Sequence, residues 1–304
     1  MTGGGGFIGS QLVRALAGRD PTAELIVVDD FSSGDYRNLI GYTGDVVPLP
    51  CEEMDWDRLF DGATVGLIYH LASITDTTVT DQGLMLRRNV EGFRRALSFA
   101  LTHGIRLVYA SSAATYGKAS GVMTEDQPSA PANVYGFSKA VMDNLARAAA
   151  SLDGPAITGL RYFNVYGPGE AHKGKMASMV YQLYRQMRAG QRPRLFRQGE
   201  QRRDFVYVRD AVRGTILAGE SMSPGVFNIG SGQATSFNEI VGVLNSLLGT
   251  GLEPEYIDNP YAASYQDHTQ ADLSRAQAVL GYEPEWSPAR GIADYVAWLD
   301  STGA

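Results

Sequence analysis

Gly3, Gly6 and Gly9 open the chain at a fixed three-residue spacing, in Met1-Thr-Gly-Gly-Gly-Gly-Phe-Ile-Gly9. No other feature constrains the fold as tightly. The pattern Leu12, Val13, Leu16 just beyond has helical spacing. A glycine turn running straight into a helix leaves the first backbone N–H groups of that helix open, at the positive end of its dipole. Glycines let this backbone approach an anion closely, and a diphosphate is the ligand such a turn suits. Gly3, Gly6, Phe7, Ile8 and Gly9 are therefore candidate diphosphate-binding residues. Glycine clusters are more often flexible loops, so the assignment needs support from elsewhere in the chain.

That support is Leu25-Ile-Val-Val-Asp29, an apolar run that ends in an acid about 20 residues after the last glycine. Asp29, with Asp30 behind it, is placed to accept hydrogen bonds from an adenosine ribose, which argues for NAD. Arg37, in the loop Phe31 to Asn38, could instead meet a 2′-phosphate, so NAD and NADP both stay open. Leu67-Ile-Tyr-His-Leu-Ala72 reads as a buried strand whose end, at Leu71, Ala72 and Ser73, borders the cofactor. His70 within it reads as a packed strand residue. One feature is out of pattern. Such a turn comes after a central strand, yet only Met1 and Thr2 precede Gly3. The expectation is a natural chain that begins a few residues earlier; the other account is a truncated first strand. Losing a few buried strand residues would cost roughly several kcal/mol.

The chain has 304 residues, enough for one large or two modest domains. Its formal charge of −7 argues against non-specific nucleic-acid binding. No apolar run reaches the length of a membrane span, and no basic-then-apolar leader is apparent. Cys51 is the one cysteine, which excludes an internal disulfide and fits a reducing cytoplasm. Cys51, His70, His103, His172 and His268 show no metal-ligand spacing.

Tyr135-Gly-Phe-Ser-Lys139 sets a phenol and an ammonium on one helix face. A free phenol is a poor base at neutral pH, and a nearby cation is expected to favour its ionised form. Taken alone, a Tyr-x-x-x-Lys pattern is usually a surface pair. Upstream, the apolar run Leu107 to Ala110 ends in Ser111-Ser112. Ligands of parallel sheets bind beyond the carboxyl ends of the strands, so Ser112 is placed to hydrogen-bond a reacting hydroxyl whose proton Tyr135 takes. Strands also fit Ile157 to Phe163 and helices fit Met85 to Thr102. The alternation predicts an α/β fold: a Rossmann-type doubly wound parallel sheet, its first strand truncated, with a smaller C-terminal substrate domain. The expected division is residues 1–167 for the cofactor and 168–304 for the substrate, with 203–231 returning to the first domain as late strands. Ser236 and Glu239 form a predicted capping box, and Pro288 to Leu299 a final amphipathic helix.

Four stretches together closely resemble the ADP-glyceromanno-heptose 6-epimerase family. They are Ala110-Ser-Ser-Ala-Ala-Thr-Tyr-Gly117, Asn133-Val-Tyr-Gly-Phe-Ser-Lys139, Arg161-Tyr-Phe-Asn-Val-Tyr-Gly-Pro-Gly-Glu-Ala-His-Lys-Gly-Lys-Met-Ala-Ser178 and Arg203-Asp-Phe-Val-Tyr-Val208. The segment Tyr265 to Asp272 is similar to that family's substrate segment. The glycine turn and the Tyr/Lys pair are shared by all extended short-chain dehydrogenases, whereas the His172-Lys173 block is far narrower. The resemblance implies an epimerase without net redox change, in which tightly held NAD or NADP takes hydride from carbon 6 of an ADP-heptose and returns it to the other face. It makes Tyr135 and Lys173 the two acid/base residues, Ser112 the assisting hydroxyl and Lys139 the residue that tunes Tyr135. Without the resemblance, Lys173 reads as a solvated loop lysine. The resemblance adds Asn89 and Val165 beside the cofactor, and Asn164, Lys175, Gln182, Phe196, Arg203 and Tyr265 at the substrate. It also implies a homo-oligomer. The chain departs from some members of the family at Lys175, Gln182 and Arg88.

Other readings have identifiable signatures. A sugar-nucleotide dehydratase needs acids after the strand-end serine, where this chain has Ala113 and Ala114. A UDP-hexose 4-epimerase shares Ser112, Tyr135 and Lys139 but does not call for the His172-Lys173 block. A non-catalytic NAD(P)-binding regulator would typically lack the Tyr or the Lys.

Overall fold

Thr2 carries the centre of the fold. In a computed structural model that describes residues 1–20, 22–150, 154–259 and 267–303, its backbone forms parallel bridges to both Val28 and His70. The strands, in chain order, are β1 Val27–Val28, β2 Val46–Val47, β3 Leu67–His70, β4 Arg106–Ser112, β5 Gly121–Met123, β6 Ile157–Tyr162, β7 Asn164–Tyr166, β8 Arg194–Phe196, β9 Arg202–Tyr207, β10 Gly225–Ile229, β11 Ala234–Ser236, β12 Glu255–Ile257 and β13 Thr269–Ala271. β10, β6, β4 and β3 lie side by side in parallel, and β1 pairs with β2 in parallel. Residues 1–3 fill the gap between β1 and β3. Thr2 N donates to Tyr69 O at 2.8 Å, Leu71 N to Thr2 O at 3.1 Å, Gly3 N to Val28 O at 2.8 Å and Val28 N to Met1 O at 2.7 Å. The first strand is therefore short, yet its central place in the sheet is hydrogen-bonded on both sides.

Each face of this sheet is covered, as a parallel sheet requires. On one face Ile68, Leu107, Tyr109 and Ile157 pack against Phe93, Leu97, Met142 and Ala146 from the helices Gly92–His103 and Val134–Ala149. On the other, Val108 and Leu160 meet Leu12 of the helix Phe7–Arg19 and Val208, Ala211 and Val212 of the helix Val208–Glu220. Each fully buried aliphatic or Phe side chain contributes about 1.5–3 kcal/mol. The second cluster continues through Tyr166, Tyr181, Phe205, Ile240, Tyr295 and Leu299, so one core joins the sheet to the C-terminal half.

The late segments separate in an instructive way. Gly225–Ile229 joins the main sheet beside β6, as expected of a returning strand. Arg202–Tyr207 does not. β9 is the middle strand of a second sheet, parallel to β7 and antiparallel to β11. The reason is local: β7 starts only two residues after β6 ends, and it carries the chain off the main sheet before β9 pairs with it. Helix Met85 to Thr102 is divided, with a π-type turn at Arg87–Glu91 between Gln82–Leu86 and Gly92–His103. The Ser236–Glu239 capping box is formed, and the last helix runs Pro288–Thr302. Among the described residues no helix is long and apolar enough to cross a membrane, and no cluster of His, Cys, Asp and Glu is arranged to hold a metal ion.

Candidate active site

The end of β4 and the start of the helix Val134–Ala149 meet backbone to backbone. A Cβ on Gly136 would lie 2.5 Å from the Ala114 carbonyl oxygen, so only glycine permits the approach. Asn133 caps the helix by accepting from Gly136 N at 2.8 Å. This contact sets Tyr135, in the first turn, close enough to Ser112 at the strand end for the serine hydroxyl to favour the ionised phenol. Ser112 Oγ also accepts from Ala114 N at 3.1 Å, which fixes its rotamer. One helical turn on, Lys139 is only 1% exposed. Its ammonium donates to Ala110 O at 2.8 Å and to Ser73 Oγ, and lies 5.9 Å from the centre of the Tyr135 ring. Ser112, Tyr135, Lys139 and Ser73 are thus brought together by two strand ends and one helix.

The electrostatics differ from the sequence expectation. Burial pushes the Tyr135 phenol above its ordinary value, and the Ser112 hydrogen bond only partly opposes it. Lys139 is itself pushed down to about 7, by burial first, with Asp143 one turn further on acting in the other direction. Its ammonium is spent on Ser73 and Ala110 rather than on the phenol oxygen. In the ligand-free protein the proton therefore stays on Tyr135. His70 behaves as a packed residue: it is 1% exposed, its Nδ1 meets Thr2 Oγ1 at 3.0 Å, and burial lowers its pKa to about 3.

The glycine turn fits a dinucleotide. Gly3 has φ +72°, and a Cβ there would sit 2.5 Å from Ala72 N, so the turn packs directly on the end of β3. A Cβ on Gly9 would overlap the Gly3 carbonyl. Gly6 caps the helix Phe7–Arg19 without any side-chain hydrogen bond, and the first turn holds no acid. The N–H groups around Phe7 and Ile8 are left for a diphosphate. Asp29 is 7% exposed and binds Gly5 N and Phe31 N, each at 2.8 Å, so it braces the turn with the carboxylate a ribose would use. Asp30 is held by Ser32 and Arg88, and Arg88 also reaches Glu52 at 2.9 Å. Arg37 is paired with Asp35 and well exposed. Asn89 is fully buried; it accepts from Ile74 N at 2.8 Å and donates to Ser138 Oγ at 3.0 Å, tying the loop after Ser73 to the Tyr135 helix.

Half-buried Val165 lies within β7, which leads into residues 167–178, a segment packed beside the glycine turn. Asn38 Nδ2 bridges the two, donating to Gly5 O at 3.0 Å and meeting His172 Nδ1 at 3.2 Å. The Lys173 ammonium lies 5.5 Å from the centre of the Phe7 ring. Lys173 is no solvated loop residue: burial lowers its pKa, opposed by Glu170. Lys175 is exposed, and Gln182 Nε2 donates to Lys175 O at 3.2 Å and Ala177 O at 2.7 Å, so Gln182 holds the segment's backbone. Asn164 is exposed at the start of β7 and Phe196 half-buried at the end of β8. Arg203 is 8% exposed on β9 and donates to Arg202 O at 2.8 Å. Tyr265 lies outside the described residues. Sequence reasoning passed over Asn38 and Glu170, since a lone amide or acid in a loop gives no periodic signal.

The comparisons with known proteins agree with this geometry. The family model described as NAD dependent epimerase/dehydratase family matches residues 1–230. The chain is 37% identical to ADP-L-glycero-D-manno-heptose-6-epimerase from Helicobacter pylori, with a TM-score of 0.92 over 99% of this chain and 95% of that one. UDP-glucose 4-epimerase from Thermotoga maritima, solved with UDP-glucose, is 30% identical with a TM-score of 0.91 over 100% and 98% of the two chains. MoeE5, solved with UDP-glucuronic acid and NAD, is 31% identical with a TM-score of 0.84 over 99% and 98%. With a glycine turn built for NAD and a strand-end Ser–Tyr–Lys group beside it, this chain belongs to the NAD-dependent epimerase/dehydratase family.

Proposed function

We propose that the protein inverts carbon 6 of the heptose in ADP-D-glycero-D-manno-heptose to give ADP-L-glycero-D-manno-heptose. The observation that carries this reading is a second, half-buried ammonium, Lys173, set over Phe7 at the cofactor turn in addition to the Ser112–Tyr135–Lys139 group. Inversion presents two faces of one carbon, and each face needs a group that moves the oxygen's proton. Tyr135 serves one presentation, with Ser112 holding the same oxygen. Lys173 serves the other. Lys139 anchors the Tyr135 helix to Ser73 and contributes positive charge. When bound, NAD supplies the hydride acceptor and then the hydride donor, so no net oxidation results. NAD suits the turn better than NADP. Asp29 and Asp30 present two carboxylates where a 2′-phosphate would lie, and Arg37 is engaged by Asp35. Arg203 supports binding of the sugar nucleotide's diphosphate. Ala113 and Ala114 come directly after Ser112 and offer no acid to expel water, which separates this site from dehydration.

Incubation with ADP-D-glycero-D-manno-heptose, with the carbon-6 configuration read by NMR, tests the reading. Conversion to the L-glycero epimer is expected. Turnover of UDP-glucose with no heptose conversion would establish instead the second reading, a UDP-hexose 4-epimerase, favoured by the resemblance to the Thermotoga enzyme. Protein that holds NAD yet turns over neither sugar would support an NAD(P)-binding regulator, and protein that binds no NAD would undermine both enzyme readings. The reading also carries a cytoplasmic homo-oligomer. A mass measurement in solution decides the oligomeric state.

A further inference from the structure

Glu170 is fully buried, with none of its surface exposed, in the Gly167–Ser178 segment. Its carboxylate accepts from Gly167 N at 3.1 Å and from Ser178 Oγ at 2.8 Å, and Ser178 N also donates to it. One side chain therefore joins both ends of a twelve-residue excursion, since Gly167 opens it and Ser178 caps the next helix. Glu170 also holds the interior, because its backbone oxygen accepts from Lys173 N at 2.9 Å. Gly174, at φ +54° and ψ −116°, then reverses the chain after Lys173. Burying a carboxylate in this way is costly unless its oxygens are filled, and here backbone donors fill them.

We propose that Glu170 is a positioning residue: it closes the neck of the Gly167–Ser178 segment and so holds the Lys173 ammonium over Phe7. The consequence for turnover rests on the reading of Lys173 as the second acid/base group. The positioning itself does not. The groups that face this pair are His172 on the same segment, Tyr166 on β7 and Tyr295 on the C-terminal helix. Tyr166 and Tyr295 are both raised by burial and stay neutral through the working range, and His172 is lowered by burial. Glu170 is thus the anionic partner of Lys173 among them. Its charge opposes the effect of burial on that ammonium.

The test has one arm that needs no substrate. Lysine side-chain NMR of the full chain, with Lys173→Met to assign the resonance, follows the Lys173 titration in the parent and in Glu170→Gln. The expected result is a midpoint lower by at least half a pH unit in Glu170→Gln, with bound NAD per subunit unchanged. An unchanged midpoint overturns the proposal, whatever the substrate proves to be. The second arm is a double-mutant cycle on kcat with Lys173→Met, using the sugar nucleotide that the protein turns over. Glu170→Gln is expected to lower kcat on the order of tenfold, and to add little once Lys173 is gone. Independent effects that multiply would show Glu170 to be merely structural, and would overturn the proposal. If Glu170→Gln does not fold, Ser178→Gly removes one donor at small cost to the helix cap. It should move the same midpoint in the same direction by a smaller amount, and no movement would count against the proposal.

Discussion

In the N-terminal, cofactor-binding half, backbone packs on backbone: Gly3 lies against Ala72, Gly9 against Gly3, and Gly136 against Ala114. In the C-terminal half, buried carboxylates gather backbone N–H groups from distant segments. Glu170 joins Gly167 to Ser178; Asp204, with none of its surface exposed, accepts from Ser231 N, Gly232 N at 2.9 Å and Ala271 N at 3.0 Å; Asp210 accepts from Glu285 N and Trp286 N, each at 2.9 Å. A dinucleotide is anchored through its diphosphate, which needs close N–H groups and no side chains. The C-terminal half has many short strands and loops with little ladder of their own, so acids supply the missing hydrogen bonds. Asp29 is the exception on the cofactor side, and it too accepts from backbone, at Gly5 and Phe31.

The largest expected effect strikes the chemistry and leaves both sides standing. Tyr135→Phe keeps the ring and removes only the oxygen that meets Ser112. Turnover should fall by about 10²–10⁴-fold, the usual worth of a general acid–base group, while NAD absorbance of the purified protein matches the parent. Loss of bound NAD in parallel with activity would show that Tyr135 belongs to the cofactor wall and not to the reacting centre.

Gly9→Ala strikes the cofactor side alone. The new methyl would overlap the Gly3 carbonyl, and the obstacle is backbone, which cannot rotate away. Destabilisation of about 1–3 kcal/mol is expected in urea unfolding, with NAD binding weakened by more than the loss of stability accounts for. Full NAD affinity would break the claim that close backbone packing shapes this wall. Asp204→Asn strikes the other side. An amide nitrogen would then face backbone donors at one position, leaving a buried N–H without an acceptor, at roughly 1–3 kcal/mol. Stability and sugar-nucleotide affinity should fall while NAD affinity, measured by titration, stays at the parent's value. A matching fall in NAD affinity would mean that the two sides are one cooperative unit.

The same contrast explains what could be read from the sequence. Glycine spacing, the strand ending at Asp29 and the Tyr135/Lys139 helix face are local patterns, and the fold class is a consequence of them. Ser112 was legible because strand ends in a parallel sheet are ligand-facing. The acid staples were not, because Glu170 and Asp204 acquire meaning only when Ser178 or Ala271 arrives from elsewhere in the chain. For the same reason β9 was misplaced: its apolar run resembles a main-sheet strand, and its pairing with β7 depends on where the chain leaves β6. The tuning of Tyr135 was also misjudged, since spacing shows that Lys139 is near but not that Ser73 and Ala110 take its hydrogen bonds.

The smallest expected effect concerns stability and lies at Lys139, between Ser73 and Ala110. Lys139 is buried with its pKa lowered to about 7 from the ordinary lysine value of 10.5. Below about pH 7 the folded and unfolded chains both carry the proton, and the folded state bears the full cost of a buried ammonium. Between about 7 and 10.5 the unfolded chain binds more protons than the folded one, so this group's contribution makes the protein more stable as pH rises through that window. Lys139→Met removes the group and its pH dependence, together with its hydrogen bonds to Ser73 and Ala110. Measured on NAD-free protein, the stability of the parent relative to Lys139→Met should therefore be lowest near pH 6 and increase toward pH 9. A difference that stays flat over that range would mean that the ammonium is as well solvated in the fold as in water. The hydrogen bonds to Ser73 and Ala110 would then offset the whole cost of burying the Lys139 ammonium.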